Sequence, residues 1–517
     1  MLLKSKSKKI AVALSYCSLV IQTLSTMYLT RFYLEQLGKD AYGLYQMIYS
    51  VAQYILILDL GISTVMVRYI SEFRVKEDKQ KTENFAFHFA LIVGILSLLV
   101  TGIGFIVNAN IELIYKSLTV DEYIISHRLM SIMIIQLVFT IVSHYFKGIC
   151  EAHENFTFTR IVTIFQVILN LCLAAGFVKS GMGVIGIAMA NTVTIVLNCI
   201  VTMIFSLFIC KFRIQFHHWD FGLFKPTLVL MIAMLLQAVI GHVNSSVDKT
   251  ILGIMATKSD VAVYAVASTI ITMFNTLPST ISSVFQPSAT RMVVNKASSE
   301  ELTDFIIRPG RFQFMLTGGF IAGFVVLGRD FIMCWTGDDM KDAWIYVLLI
   351  LVPNMIPLIQ NICLSILNAM DKRLFRSLIL VSITAFNILL TIILIRIIGP
   401  IGAPLATGIS YVVGHCVIMN IYYHRKLGLN VIRMFSGIFK KTWVCVILSL
   451  IFALPTMLWK CDGNWIILIV KSAIFCSIYV ILLLAYGINT DEKKMICKII
   501  FKIFSKENID KEVVKYD

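Results

Sequence analysis

The chain is 517 residues long, 58% hydrophobic and only 15% charged, with a formal net charge of +15 and a mean hydropathy of +0.84. That composition excludes an ordinary soluble domain and fits a polytopic membrane protein. The positive charge would point to nucleic acid in a soluble chain; here basic residues on cytoplasmic loops account for it, and no nucleic-acid partner is expected.

The N-terminal MLLKSKSKK precedes an apolar segment without a small-residue cleavage site, so it reads as an uncleaved first span. Windows of about 20 residues predict fourteen spans, with cores at 10–30, 43–66, 84–107, 123–146, 158–178, 184–210, 226–250, 261–286, 311–333, 344–368, 375–398, 401–423, 438–458 and 465–487. Turns between them carry Gly38, Gly181 to Gly183, and Gly399-Pro400-Ile401-Gly402. The longest connection is expected from Pro287 to Gly310, too short for an extramembrane domain.

Lys and Arg set the orientation. With the N-terminus in the cytoplasm, most of the 45 basic residues fall on the cytoplasmic side, most densely between Arg68 and Lys81 and between Arg425 and Lys441. An even span number returns the C-terminus to the same side. Past the last span, Lys494, Lys498, Lys502 and Lys506 share one helical face, and Met495, Ile499, Ile503 and Phe504 lie on the other. A cationic amphipathic helix anchored on the inner leaflet is expected there. The twelve cysteines are scattered without a CxxC pair and read as small buried hydrophobes, with no disulfide or metal site.

An internal repeat organises the chain. Phe158 to Ala190, with Asn170 and GVIGIAMA, is echoed by Phe375 to Ala406, with Asn387 and GPIGAPLA. LGKDAYGLY (Leu37 to Tyr45) matches MATKSDVAVY (Met255 to Tyr264), and Arg68 has a counterpart in Arg291. An even count of spans per repeat preserves topology, so the expected fold is an all-α bundle of two parallel six-helix repeats. These are residues 1–210 and 211–425, followed by two additional spans (426–488) and the tail (489–517). Such repeats place a substrate site between the halves.

Polar stripes locate that site. Gln237, Gly241, Asn244 and Asp248 recur at helical spacing, as do Ser268, Thr272, Asn275, Ser279, Ser282 and Gln286. Each unsatisfied polar group in hydrocarbon costs several kcal/mol, so the stripes face protein or water. Span one carries Ser15, Ser18, Gln22, Ser25 and Thr26; span two carries Gln46, Ser50, Gln53, Thr64 and Arg68. Spans one, two, seven and eight are therefore expected to line a central cavity. The stripes of span six (Asn191, Thr194, Asn198, Thr202) and span ten (Asn354, Asn361, Ser365, Asn368) read instead as helix-to-helix hydrogen bonds.

The charges separate by phase. Arg68 lies on its stripe at the cytoplasmic mouth, where a guanidinium either contacts phosphate bidentately or snorkels to the interface. Arg291 is recommended by the repeat alone. Asp248, on its stripe, either binds a coupling cation or proton or pairs with Lys249. Arg31 and Asp59 point away from the stripes, and Asp59 is expected in a structural pair between helices. His242 reads as packed, and Lys471 as snorkelling outward.

No Walker A, GxSxG or HExxH sequence occurs, so no enzyme and no bound cofactor is expected. LGKDAYGLY, DLGISTVMVRYISE (Asp59 to Glu72), VDKTILG with VAVYAVAST (Val247 to Thr269) and the paired glycine turns resemble the polysaccharide-transport branch of the multidrug/oligosaccharidyl-lipid/polysaccharide exporter superfamily, which includes Wzx-type O-antigen flippases. The resemblance implies a bacterial inner-membrane protein that moves an undecaprenyl-diphosphate-linked oligosaccharide from the cytoplasmic to the periplasmic leaflet, by alternating access between the two halves. Coupling to a proton or sodium gradient is a separate hypothesis, motivated by Asp248 on the cavity face. A polysaccharide polymerase and a chain-length regulator are its potential partners. Two other readings stand beside it: a multidrug exporter of the same superfamily, and a membrane polysaccharide polymerase. The candidate substrate contacts are Gln22, Gln53, Arg68, Gln237, Asn244, Asn275 and Arg291, and the candidate coupling residue is Asp248.

Overall fold

The computed structural model describes residues 2–219, 221–370, 373–489 and 492–493, and among them it contains helices and turns but no β-strand. In hydrocarbon only a helix satisfies its own backbone within one segment. Among the described residues, nine helical segments are long and apolar enough to cross a membrane, or up to eleven when each of two bent pairs forms one span. This count is smaller than fourteen. Two of the nine segments, Ala13–Val75 and Phe156–Ile209, are 63 and 54 residues long, whereas one crossing needs about 20. Both are interrupted by residues of positive φ.

The first interruption, Gly38 (φ +80°), lies inside the long helix Leu2–Ile55. An L side chain disfavours that conformation, and glycine supplies it at no steric cost. The second follows Ile55: a tight turn over Leu56–Asp59, then left-handed Leu60 and Gly61, before the helix restarts over Ile62–Val75. The break resets the helical phase. Gln46, Ser50 and Gln53 therefore share a helix, while Thr64 and Arg68 belong to the next one, and the single face expected for all five does not extend across it. Asp59 sits at the break and accepts from His144 Nδ1 at 2.8 Å, the interhelical pair its position suggested.

The expected connection from Pro287 to Gly310 is mostly helix. One helix runs Lys258–Val294 with Pro278 and Pro287 inside it, and the next runs Ser299–Thr336 with Pro309 inside it. Proline reads as a turn signal in soluble chains but is tolerated in membrane helices, whose neighbours re-satisfy the freed backbone groups.

By packing, the chain forms two compact units. The first comprises Met1–Met273, Trp335–Pro353 and Lys372–His415. Here Gly43 lets its helix lie directly against the backbone carbonyl of Lys258: a Cβ at Gly43 would sit 2.0 Å from that oxygen. Ser50 and Tyr54 meet the hydroxyl of Thr250 at 2.9 and 3.1 Å, fixing the helix Phe221–Met255 beside Leu2–Ile55.

The second unit comprises Phe274–Cys334, Asn354–Asp371 and Cys416–Asp517. Its spine is the helix Ser299–Thr336. Near one end, buried Arg311 donates to Glu492 (2.8 Å) and to the carbonyls of Gly437, Lys440 and Gly487. Near the other, Asp330 accepts from Lys471 at 2.6 Å. Lys471 was expected to snorkel outward. It is instead fully buried, because Asp330 and the carbonyl of Trp459 accept its protons. The amphipathic helix expected after residue 493 lies outside the described residues.

Candidate functional site

The sequence nominates Asp248, and the first unit builds a polar cluster around it. Asp248 is 3% exposed on the helix Phe221–Met255. Its carboxylate accepts from Thr407 at 2.7 Å, from Thr391 at 3.3 Å and from the Tyr264 hydroxyl. Asn387, one turn before Thr391 on the helix Arg373–Ile398, donates to Thr407 at 3.1 Å. Four helices thus place one carboxylate, three hydroxyls and one amide together.

Lys249 takes no part in the cluster. Its ammonium donates to Gln46 at 3.3 Å, and among the described residues Asp248 has no ion-pair partner. Burying a carboxylate without a counter-charge is costly, and three hydroxyl donors compensate only part of it. Among the described residues, no group of three or more His, Cys, Asp or Glu side chains could hold a metal.

The repeat supplies an internal comparison. In the N-terminal half, Asn170 donates to Asn191 (2.7 Å) and Asn191 to the Tyr45 hydroxyl (3.1 Å). Asn170 corresponds to Asn387, and Tyr45 to Tyr264 in the paired sequence motifs. Of these two networks, the one around Asp248 holds a carboxylate, and the Asn170–Asn191–Tyr45 chain is made of amides and a phenol.

The other nominated residues are dispersed. Arg68 is exposed on Ile62–Val75, its guanidinium 5.8 Å from the Tyr69 ring centroid. Arg291 is exposed in the last turn of Lys258–Val294. Gln22 is exposed, and its carbonyl accepts from Thr26; Gln53 is half-buried before the helix break. Asn275 accepts from Asn354 at 2.6 Å. The side chains of Gln237, Asn244 and His242 lie outside those described. On the second stripe, Ser268, Thr272, Ser279 and Ser282 bond back to carbonyls of their own helix, which accommodates hydroxyls in a membrane span. Thr272, Ser279 and Gln286 remain exposed. The stripes of spans six and ten make the expected helix-to-helix bonds, Asn198 to Gln166 (2.7 Å) and Asn354 to Asn275.

Sequence reasoning missed Tyr264, Thr391 and Thr407 as partners of Asp248. The available signal was the i, i+4 pair Asn387 and Thr391, on one helical face beside the repeat's glycine turn.

Many long apolar helices, with one buried carboxylate held by hydroxyl donors from neighbouring helices, define a multi-pass membrane protein of the transporter class. Residues 7–293 match the family described as "Polysaccharide biosynthesis protein", and the chain belongs to that family. Its fold is that of the multidrug/oligosaccharidyl-lipid/polysaccharide exporter superfamily. Among solved structures it is similar to "Lipid II flippase MurJ, inward closed conformation", at 15% identity over 93% of this chain and 98% of that one (TM-score 0.70). It is also similar to an inward-facing multidrug resistance MATE family transporter of the MOP superfamily, at 14% identity over 79% and 94% (TM-score 0.66). A third is the Vibrio cholerae MATE transporter VcmN in its bent form, at 13% identity over 84% and 99% (TM-score 0.51). No curated protein matches the sequence.

Proposed function

We propose that this protein is a flippase that carries an undecaprenyl-diphosphate-linked oligosaccharide, a repeat unit of O-antigen or another surface polysaccharide, from the cytoplasmic to the outer leaflet of the bacterial inner membrane. The observation that carries this reading is membership of the polysaccharide biosynthesis family over residues 7–293. The fold shared with a protein named as a lipid II flippase supports it. The chemistry agrees: a pyrophosphate suits guanidinium groups such as Arg68 and Arg291, a glycan suits hydroxyl and amide stripes, and the polyprenyl tail can remain in the bilayer.

In this reading the protein makes and breaks no covalent bond. It alternates access to the two sides of the membrane, and a proton or sodium ion bound at Asp248 drives the cycle. The fold shared with MATE transporters favours a second reading, export of soluble cations. Deletion of the gene separates the two. Loss of a flippase leaves lipid-linked repeat units on the cytoplasmic leaflet, whereas loss of an exporter leaves their distribution unchanged and raises retention of cationic dyes.

A further inference from the structure

We propose that Cys334 and Cys461 form a disulfide at the outer face of the membrane. Their sulfurs lie 3.6 Å apart although 127 positions separate them in the sequence. Cys334 is near the end of the helix Ser299–Thr336, and Cys461 is in the turn before the helix Trp465–Leu482. Both are nearly fully buried, in a cluster with Ala453, Leu468, Phe475 and Tyr479. An S–S bond is about 2.05 Å long, so the sulfurs must close by about 1.5 Å. Cys461 sits in a turn outside any helix, followed by positive φ at Asp462 and Gly463, so the closure does not have to move a helix backbone on that side.

The compartment follows from the orientation set by lysine and arginine, on which this inference rests. With the N-terminus inside, spans nine and thirteen end on the outer side, where disulfides form and persist. A second thiol pair supplies the contrast. Cys150 and Cys210 also contact one another, at the ends of spans four and six, which the same orientation places in the reducing cytoplasm. One pair is oxidised and the other is not.

The oxidant is a disulfide-bearing carrier protein of the cell envelope. The Cys461 thiolate attacks one sulfur of the carrier disulfide, forming a mixed disulfide and expelling a carrier thiolate. The Cys334 thiolate then attacks the Cys461 sulfur, forming the internal S–S bond and expelling the second carrier thiolate. The two thiol protons pass to the carrier, which leaves as a dithiol, so two electrons are transferred. The exchange occurs before the turn packs down, since both sulfurs are buried afterwards. The bond fastens the outer end of the C-terminal hairpin to the helix whose inner end is already held by Arg311 and Glu492.

The test uses the full-length protein in its native membrane. Cells are acid-quenched and thiols blocked with N-ethylmaleimide in denaturant; the protein is then reduced and newly freed thiols are tagged with a polyethylene-glycol maleimide. The expected result is two tags on the natural chain, none on C334S or C461S, and two on C150S. No reduction-dependent tag on the natural chain overturns the proposal. Tags that survive in C334S but vanish in C150S overturn it too, and show that the orientation is reversed. Should the variants fail to accumulate, protease cleavage of the natural chain between residues 334 and 461 still decides. Fragments joined until reduced support the bond; fragments that separate without reductant overturn it.

Discussion

Replacing Asp248 with asparagine preserves the side-chain shape and removes its charge, which makes it the sharpest probe of ion coupling. The carboxylate is 3% exposed and accepts hydroxyl hydrogens from Tyr264, Thr391 and Thr407. A monovalent cation about 4 Å from a full negative charge gains about 4 kcal/mol at an effective dielectric constant of about 20. Losing that term should weaken cation binding about a thousandfold. The new amide also turns a donor, its Nδ2, toward hydroxyls that were donating, and each hydrogen bond to the charged group contributes about 1.5–3 kcal/mol. Thr407→Ala removes one such bond and keeps the charge, so gradient-dependent transport should persist in it. The assay is substrate translocation in vesicles under an imposed sodium or proton gradient, with substrate binding measured separately. Asp248→Asn should abolish gradient dependence and leave substrate binding within a few-fold. Unchanged gradient-dependent transport in Asp248→Asn would refute the coupling role.

Other residues make separate demands. Arg68→Ala should depress transport far more than Arg68→Lys if a guanidinium contacts the pyrophosphate; equal loss, or none, removes Arg68 from the site. Arg311→Ala leaves Glu492 and three carbonyls without their buried partner, and should lower stability by about 3–5 kcal/mol, read as thermal unfolding in detergent; an unshifted melting curve contradicts this. Lys471→Met strips Asp330 of its partner and should also destabilise, while Lys471→Met with Asp330→Leu should recover most of the loss. No recovery in the pair would mean that the lysine acts through packing alone. Gly43→Ala drives a Cβ against the Lys258 carbonyl and should sharply reduce folded protein in the membrane, so normal accumulation would show that the two helices can part.

Much of the fold was legible because the membrane imposes a local rule. Long apolar windows become helices, and Gly38 and Gly181 mark breaks that hydropathy and turn chemistry both signal. The break at Leu60 and Gly61 was less visible, because Leu56 to Asp59 continue a helical pattern until a left-handed pair interrupts it. Proline misled in the other direction, at Pro287 and Pro309, where neighbouring helices override its turn preference. Asp248 was found from helical spacing on its own element. Its partners were not, because Tyr264, Thr391 and Thr407 arrive from three other helices and share no period with it. Lys471 failed for the same reason: an aspartate 141 positions away decides whether it turns outward or inward.

The central claim is translocation of a lipid-linked oligosaccharide, and reconstitution tests it most directly. Purified protein in liposomes, with a polyprenyl-diphosphate oligosaccharide placed in one leaflet, should deliver that lipid to the opposite leaflet when a sodium or proton gradient is applied, as measured by protection from an impermeant glycan-modifying enzyme. Liposomes with Asp248→Asn should not respond to the gradient. A lipid that stays in its original leaflet, with well-folded protein and an intact gradient, would contradict the account.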